Sequence, residues 1–152
     1  MNNIIAIEKD STGAEVIVKH IDAMGNSPVI PFFMRNFADL ITNGHAENFI
    51  TFNNKSKAIY IEINNQIAGH IVYDFRLDDV LKTAWIIFSC VEESYRHRGL
   101  YKIMHRHFEE TIKKAGSQRI ASAVHVSNSV RLASCESVGM KAHSYRMEKI
   151  LT

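Results

Sequence analysis

The sequence predicts an α/β fold: a mixed, mostly antiparallel central sheet with helices on both faces, in a single domain over residues 1–152. Three observations predict it. Strand-like and helix-periodic runs follow one another in the order strands, helix, three strands, helix, strand, helix, strand. The pair Asn64-Asn65 joins two strand-like runs and reads as a tight hairpin, because Asn tolerates positive φ. The run from Thr83 to Val91 is apolar almost throughout, as in a strand covered on both faces.

Each element has a local cause. Asn3 to Glu8 and Ala14 to His20 are rich in β-branched residues, and Asp10-Ser11-Thr12-Gly13 between them reads as a turn. Thr12-x-x-Glu15 also matches a capping box, but Val16-Ile17-Val18 favours strand. Ser27-Pro28 is a helix start, a capping hydroxyl followed by proline, and Pro31 still lies in the first turn. Ile30, Phe33, Phe37, Leu40 and Ile41 repeat at helical spacing, and Gly44 stops the run. His45 to Phe52 shows no pattern.

Lys57 to Ile63 and Ile67 to Phe75 form the hairpin, and Arg76 to Lys82 is a polar loop. A helix from Leu100 to about Ala115 buries Leu100, Ile103, Met104, Phe108 and Ile112. Its outer face carries the i,i+4 pairs Glu109/Lys113 and Glu110/Lys114. After Gly116 come a strand, Arg119 to Val126, then Ser127-Asn128, a short helix, Gly139-Met140 and a last strand, Ala142 to Leu151.

With 152 residues the chain can bury roughly two-thirds of its unfolded surface. It is 46% hydrophobic and 22% charged, ordinary for a globular protein. No apolar run approaches the ~20 residues of a membrane span, and Met1-Asn2-Asn3-Ile4 has neither a basic n-region nor a long apolar stretch, so a secretory signal is not expected. Cys90 and Cys135 form no CxxC pair, so reduced thiols in a cytoplasmic protein are expected. The net charge of +2 does not imply nucleic-acid binding. The positive charge is locally dense, however, with Arg96, Arg98, Lys102 and Arg106 close together, which suits a small anionic ligand.

The most informative stretch is Tyr95-Arg96-His97-Arg98-Gly99-Leu100-Tyr101, between the apolar run ending at Val91 and the helix from Leu100. A strand, a basic loop with one glycine and a helix start make a phosphate cradle: backbone N–H groups turn inward and the helix dipole adds positive charge. The arginines add charge and bidentate hydrogen bonds. The stretch therefore points to a phosphorylated cofactor.

Arg96-x-x-Gly99-x-Tyr101 after Val91 resembles the acyl-CoA-binding segment of the GNAT superfamily of N-acetyltransferases, R/Q-x-x-G-x-G/A after a strand often ending in valine. Tyr101 departs from the small final residue. Downstream, Asn128 and Gly139 fall at the family's interval, with Met140 where Phe is usual. The resemblance covers roughly the C-terminal two-thirds of the chain. It implies acetyl-CoA as cosubstrate, held by Val91, Arg96, His97, Arg98, Gly99, Leu100, Tyr101 and Asn128. It also implies direct transfer in a ternary complex to a primary amine of a small molecule or peptide, with backbone near Val91 donating to the oxyanion.

Such transfer needs a neutral amine, and deprotonating a lysine-like amine at pH 7 costs roughly 4 to 5 kcal/mol. His125, among Ala121, Ala123 and Ser127 on one face of its strand, is a candidate base or else a hydrogen-bonded core histidine. Glu92 and Glu93 end the strand and are either bases or solvated charges. The resemblance places the family's acid, a tyrosine, at Cys135. Either Cys135 protonates the thiolate, the role moves to Tyr145 or Ser134, or Cys135 is simply a small buried residue.

Eight histidines do not build a metal site: His105 and His107 point to different helix faces, and no metal is expected. Aromatics do not interleave with the basic cluster beyond Tyr95 and Tyr101, so neither nucleic acid nor membrane is an expected partner. Few residues follow Gly139, which leaves the acceptor side open or completed by a second subunit, as in a homodimer. The alternative to an enzyme is an inactive acyl-CoA-binding or sensing module of the same fold.

Overall fold

The computed structural model describes residues 2–45 and 53–151. Six strands form one sheet in sequence order: β1 (Asn2–Lys9), β2 (Glu15–Ile21), β3 (Lys57–Ile63), β4 (Gln66–Phe75), β5 (Ala84–Val91) and β6 (Ile120–Ser122). Neighbours are antiparallel as far as β5, and β6 runs parallel to β5. The β3–β4 hairpin turns on Asn64 and Asn65, both left-handed at φ 51° and 62°. Three helices complete the fold: α1 (Val29–Thr42), α2 (Leu100–Lys114) and α3 (Ser129–Ser137). Among the described residues no helix is long and apolar enough to cross a membrane.

The sheet is covered on both faces. On one, Leu100, Ile103, Met104, Phe108 and Ile112 of α2 pack on Val18, Ile59, Ile61, Ile71 and Ile86. On the other, Val29 and Phe33 of α1 pack on Ile21, Tyr60, Val72 and Phe88. Each large apolar side chain so buried contributes about 1.5–3 kcal/mol. Ser27 Oγ accepts the Val29 N–H at 3.0 Å, so the Ser27-Pro28 start works as expected. Of the two helix pairs, Glu109–Lys113 forms at 2.7 Å, whereas Glu110 turns to His107 at 3.6 Å.

Three expectations are corrected. The strand buried continuously is β4, from Ile67 to Tyr73, while β5 alternates. The cause is position: β4 is central and β5 is paired by β6 over only three residues. The strand predicted from Arg119 to Val126 stops at Ser122, whose hydroxyl donates to Ile86 C=O at 3.2 Å. The predicted last strand does not form. Residues 140–151 run without regular structure, with Tyr145, Met147, Ile150 and Leu151 exposed, because three residues of β6 offer almost no edge to pair with. Part of the unpatterned stretch His45 to Phe52, residues 46–52, lies outside the described residues.

One irregularity positions everything that follows. Val72 pairs with Phe88 but Tyr73 pairs with Ile86, so Ile87 is an extra residue in β5. In a regular strand residues two apart share a face. Here Ile86 belongs to the α2-side core and Phe88 to the α1-side core. Beyond the bulge, Val91 therefore faces the α2 side and Cys90 the α1 side.

Candidate active site

Beyond Ile86 and Ser122, β5 and β6 part, and a cleft of about 1800 Å³ opens between them. The backbone of β5 supplies its wall. Gly69 stands opposite Val91, and the Glu92 N–H donates to Ala68 C=O at 2.8 Å. That register makes Gly69–Val91 a non-hydrogen-bonded pair, so the N–H and C=O of Val91 point away from β4, towards the cleft. The approach requires glycine at 69: a Cβ there would lie 2.9 Å from the Cys90 carbonyl oxygen. Arg96 Nε donates to the Val91 C=O at 3.1 Å, which leaves the N–H as the unused donor of the pair.

The basic loop closes one end of the cleft. After a 3₁₀ turn, Glu93–Tyr95, His97 is left-handed at φ 63° and Gly99 at φ 75°. Gly99 begins α2, and no side chain caps the helix or places a carboxylate in its first turn. The first intrahelical bond is Ile103 N–H to Gly99 C=O, so the N–H groups of Leu100, Tyr101 and Lys102 have no partner in the helix. This is the arrangement that binds a phosphate or diphosphate. Arg98 is drawn elsewhere. Its Nε donates to Asp10 Oδ2 at 2.6 Å and its guanidinium lies over the Tyr95 ring. Gly99 and His97 line the cleft, while Leu100 is buried beneath it at the helix start.

On the α1 side the bulge brings Cys90 to Asn36, whose Oδ1 accepts the thiol at 3.3 Å. The same Asn36 donates to Glu92 Oε1 at 2.8 Å, and Arg35 pairs with Glu92 Oε2. Burial pushes the Cys90 thiol up to about 11, so it is a neutral donor, not a thiolate nucleophile. Glu92 is fully engaged by Arg35 and Asn36, while Glu93 stays exposed on the cleft.

His125 lies beyond β6, exposed, with Nδ1 2.7 Å from Ser127 Oγ. The same hydroxyl lies 2.7 Å from His45 Nδ1, so two imidazoles that line the cleft meet at one serine behind it. Asn128 caps α3, its Oδ1 accepting the Arg131 N–H at 3.1 Å. Cys135 is 7% exposed and does not line the cleft, and burial raises its thiol. Tyr145 reaches the cleft from the tail but is 79% exposed. Tyr101 lines the cleft under Arg131, whose Nη1 donates to its Oη at 2.5 Å.

The sequence-predicted residues on one cleft are thus Val91, Arg96, His97, Gly99, Leu100, Tyr101, His125, Asn128 and Tyr145, and Glu92 and Cys135 stand behind it. Asn36, His45, Cys90, Ser127 and Arg131 also build the site, although sequence reasoning gave none of them a role there. His45, Cys90, Ser127 and Arg131 carried no signal beyond proximity to a strand or helix end, and Asn36, midway along α1, carried none. Among the described residues no group of three or more His, Cys, Asp or Glu could hold a metal ion.

No curated protein matches the chain in sequence. In solved structures it is similar to an aminoglycoside acetyltransferase, meta-AAC0020, from an uncultured soil metagenomic sample, in complex with sisomicin. The TM-score is 0.67 and the identity 13%, over 90% of this chain and 95% of that one. It is equally similar to the aminoglycoside N-acetyltransferase AAC(6')-Iy in complex with CoA, at TM-score 0.67 and 13% identity over 91% and 96% of the two chains. At such identities the likeness speaks to the fold. Residues 17–140 match the sequence model of the acetyltransferase (GNAT) family, and with that match spanning most of the length, this chain belongs to the GNAT acetyltransferase family.

Proposed function

We propose that the protein is an acetyl-CoA-dependent N-acetyltransferase that transfers its acyl group directly to a primary amine of a small molecule or peptide. When bound, acetyl-CoA supplies the acyl group as an activated thioester. The observation that carries the reading is the freed Val91 N–H on one cleft with the uncapped start of α2 and the two imidazoles joined at Ser127. The α2 start and Arg96 bind the diphosphate, and Val91 N–H donates to the carbonyl oxygen as negative charge develops on it. His125 takes the proton of the incoming amine, oriented by its bond to Ser127. The amine enters from the α1 side, past Asn36 and Cys90.

Thermal unfolding with acetyl-CoA, followed by thiol release with an aminoglycoside, a polyamine and a lysine-containing peptide, tests the reading. Ligand at 100 times its dissociation constant should add about 2.7 kcal/mol. No shift at millimolar acetyl-CoA removes the reading. A shift without thiol release favours the acyl-CoA-holding module, to which the full engagement of Glu92 by Arg35 and Asn36 would then belong.

A further inference from the structure

Arg131 presents an anomaly. Its guanidinium lies 5.5 Å above the Tyr101 ring, and Nη1 donates to the Tyr101 hydroxyl. Nη2 is fully buried and has no hydrogen-bond acceptor. No ion pair joins Arg131 to a carboxylate among the described residues. Arg131 is only half-buried, but a guanidinium nitrogen held from water with no acceptor is costly, and an anion nearby would offset that cost. Arg131 and Tyr101 line the same cleft as Val91 at the end of β5 and Gly99 at the start of α2.

We propose that Tyr101, held as a neutral phenol beside Arg131, is the acid that protonates the departing sulfur of acetyl-CoA. This rests on the acetyltransferase reading. The amine nitrogen forms a bond to the thioester carbonyl carbon, the carbon–sulfur bond breaks, and its electron pair leaves on sulfur. The Tyr101 O–H proton passes to that sulfur, giving the free thiol and a phenolate that Arg131 balances. The amine's proton goes to the base on the far side of the cleft and then to solvent, and a solvent proton restores Tyr101. Arg131 touches no reacting atom and is a positioning residue.

Four groups face the Tyr101 hydroxyl or its ring: Arg131 and Cys135 from α3, Ser89 from β5, and His105 one turn along α2, whose ring centroid is 5.9 Å away. Glu109 bears on His105, and Glu136 on Cys135. Burial raises the pKa of Tyr101 and so keeps the phenol protonated, and Arg131 opposes that rise. His105 is itself buried and held neutral by desolvation, so Arg131 is the cation that acts on the phenol. Cys135 is a thiol raised by burial and lies off the cleft, which leaves Tyr101 as the hydroxyl in place.

The test uses the whole protein with CoA as probe. Isotope-labelled CoA, observed by NMR at the carbon next to sulfur, reports ionisation of the bound thiol against pH. The expected result is a bound thiol that titrates about one unit or more lower in the wild type than in Tyr101→Phe or Arg131→Gln. CoA affinity near neutral pH should stay within about threefold. Arg131→Lys keeps the charge and should restore most of the shift. Turnover by Tyr101→Phe with the best amine should fall about tenfold or more in kcat, without a matching change in KM. Identical thiol titrations in all the proteins overturn the proposal, as does a loss confined to CoA affinity, which would make Tyr101 a binding residue only. Failure of the wild type to bind CoA overturns the acetyltransferase reading itself, a distinct result.

Discussion

Arg98 and Asp10 are 88 residues apart in the chain and 2.6 Å apart in space, Nε to Oδ2. The contact ties the loop before α2 to the β1–β2 turn, and the Ser11 N–H adds a bond to Arg98 C=O at 3.2 Å. The Thr12 hydroxyl, together with Arg98 and the N–H groups of Thr12 and Ala14, pushes the Asp10 carboxyl down to about 2. An acid depressed in the folded state stabilises it above the unfolded value, here 3.8, and that contribution fades as pH falls towards 2. Asp10→Asn should lower the melting temperature at pH 7 and flatten its decline between pH 4 and 2. Scanning calorimetry at several pH values checks this, and equal slopes in both proteins would refute it.

Gly99 is needed for its backbone and not for space. Its φ is +75°, and a Cβ there would meet nothing within 4 Å. Gly99→Ala should therefore cost about 1–2 kcal/mol of stability through left-handed strain alone. Gly99→Glu should add a negative charge to the diphosphate site and weaken acetyl-CoA far more than the alanine does. Arg96→Ala should weaken it too. Titration calorimetry with acetyl-CoA ranks the three, and equal affinity for the alanine and glutamate variants would contradict the anion site.

His70 is wholly buried in β4, with neither ring nitrogen hydrogen-bonded, and its ring stacks on Phe88 at 5.6 Å. Burial, aided by the charge of Arg35, lowers its ionisation to about 3. The unfolded chain takes up a proton below about 6.5 that the native state refuses. Stability is complete above that value and falls with pH by up to about 1.4 kcal/mol per unit. His70→Phe keeps the stacking and removes two unpartnered nitrogens. It should match or exceed the wild type in stability at pH 7 and show a shallower slope between pH 6 and 4 in urea unfolding, the remainder coming from His20 and His105, whose pKa burial also lowers.

His125→Ala should remove the ascending limb of the pH–rate profile and cost about a hundredfold or more in kcat/KM. Ser127→Ala leaves both imidazoles without their shared hydroxyl and should cost less, since neither base is deleted. The profile must be measured on variants that still melt cooperatively. An unchanged limb in His125→Ala would exclude it as the base.

Much of the fold was legible because its signals are local. Asn64-Asn65 states its turn, Ser27-Pro28 its helix start, and Arg96 to Gly99 the loop that leads into an uncapped helix start. What stayed hidden depends on pairing between distant segments. The bulge at Ile87 is visible only in register with β4, and it decides that Cys90 meets Asn36, 54 residues away. The strand expected from Arg119 to Val126 was apolar enough, yet its partner β5 turns away after Ile86. The position of Tyr101 was noted as a departure, but its meaning lies with Arg131, 30 residues on, where nothing in the local pattern marks a function.

The extra residue in β5 has a consequence for how such a site can diversify. One strand serves two chambers, and Ile87 works as a phase shift between them. Past it, odd-numbered side chains such as Val91 belong with the α2-side core, and even-numbered ones such as Cys90 belong with α1. Exchanges at position 90 can reshape the α1 side of the cleft while the Val91 amide keeps its aim. Removing Ile87 would leave both sets where they are, since Ile86 and Phe88 already pair with the adjacent Tyr73 and Val72, whereas removing one residue between Phe88 and Val91 would exchange them, so that stretch tolerates substitution far better than a change of length.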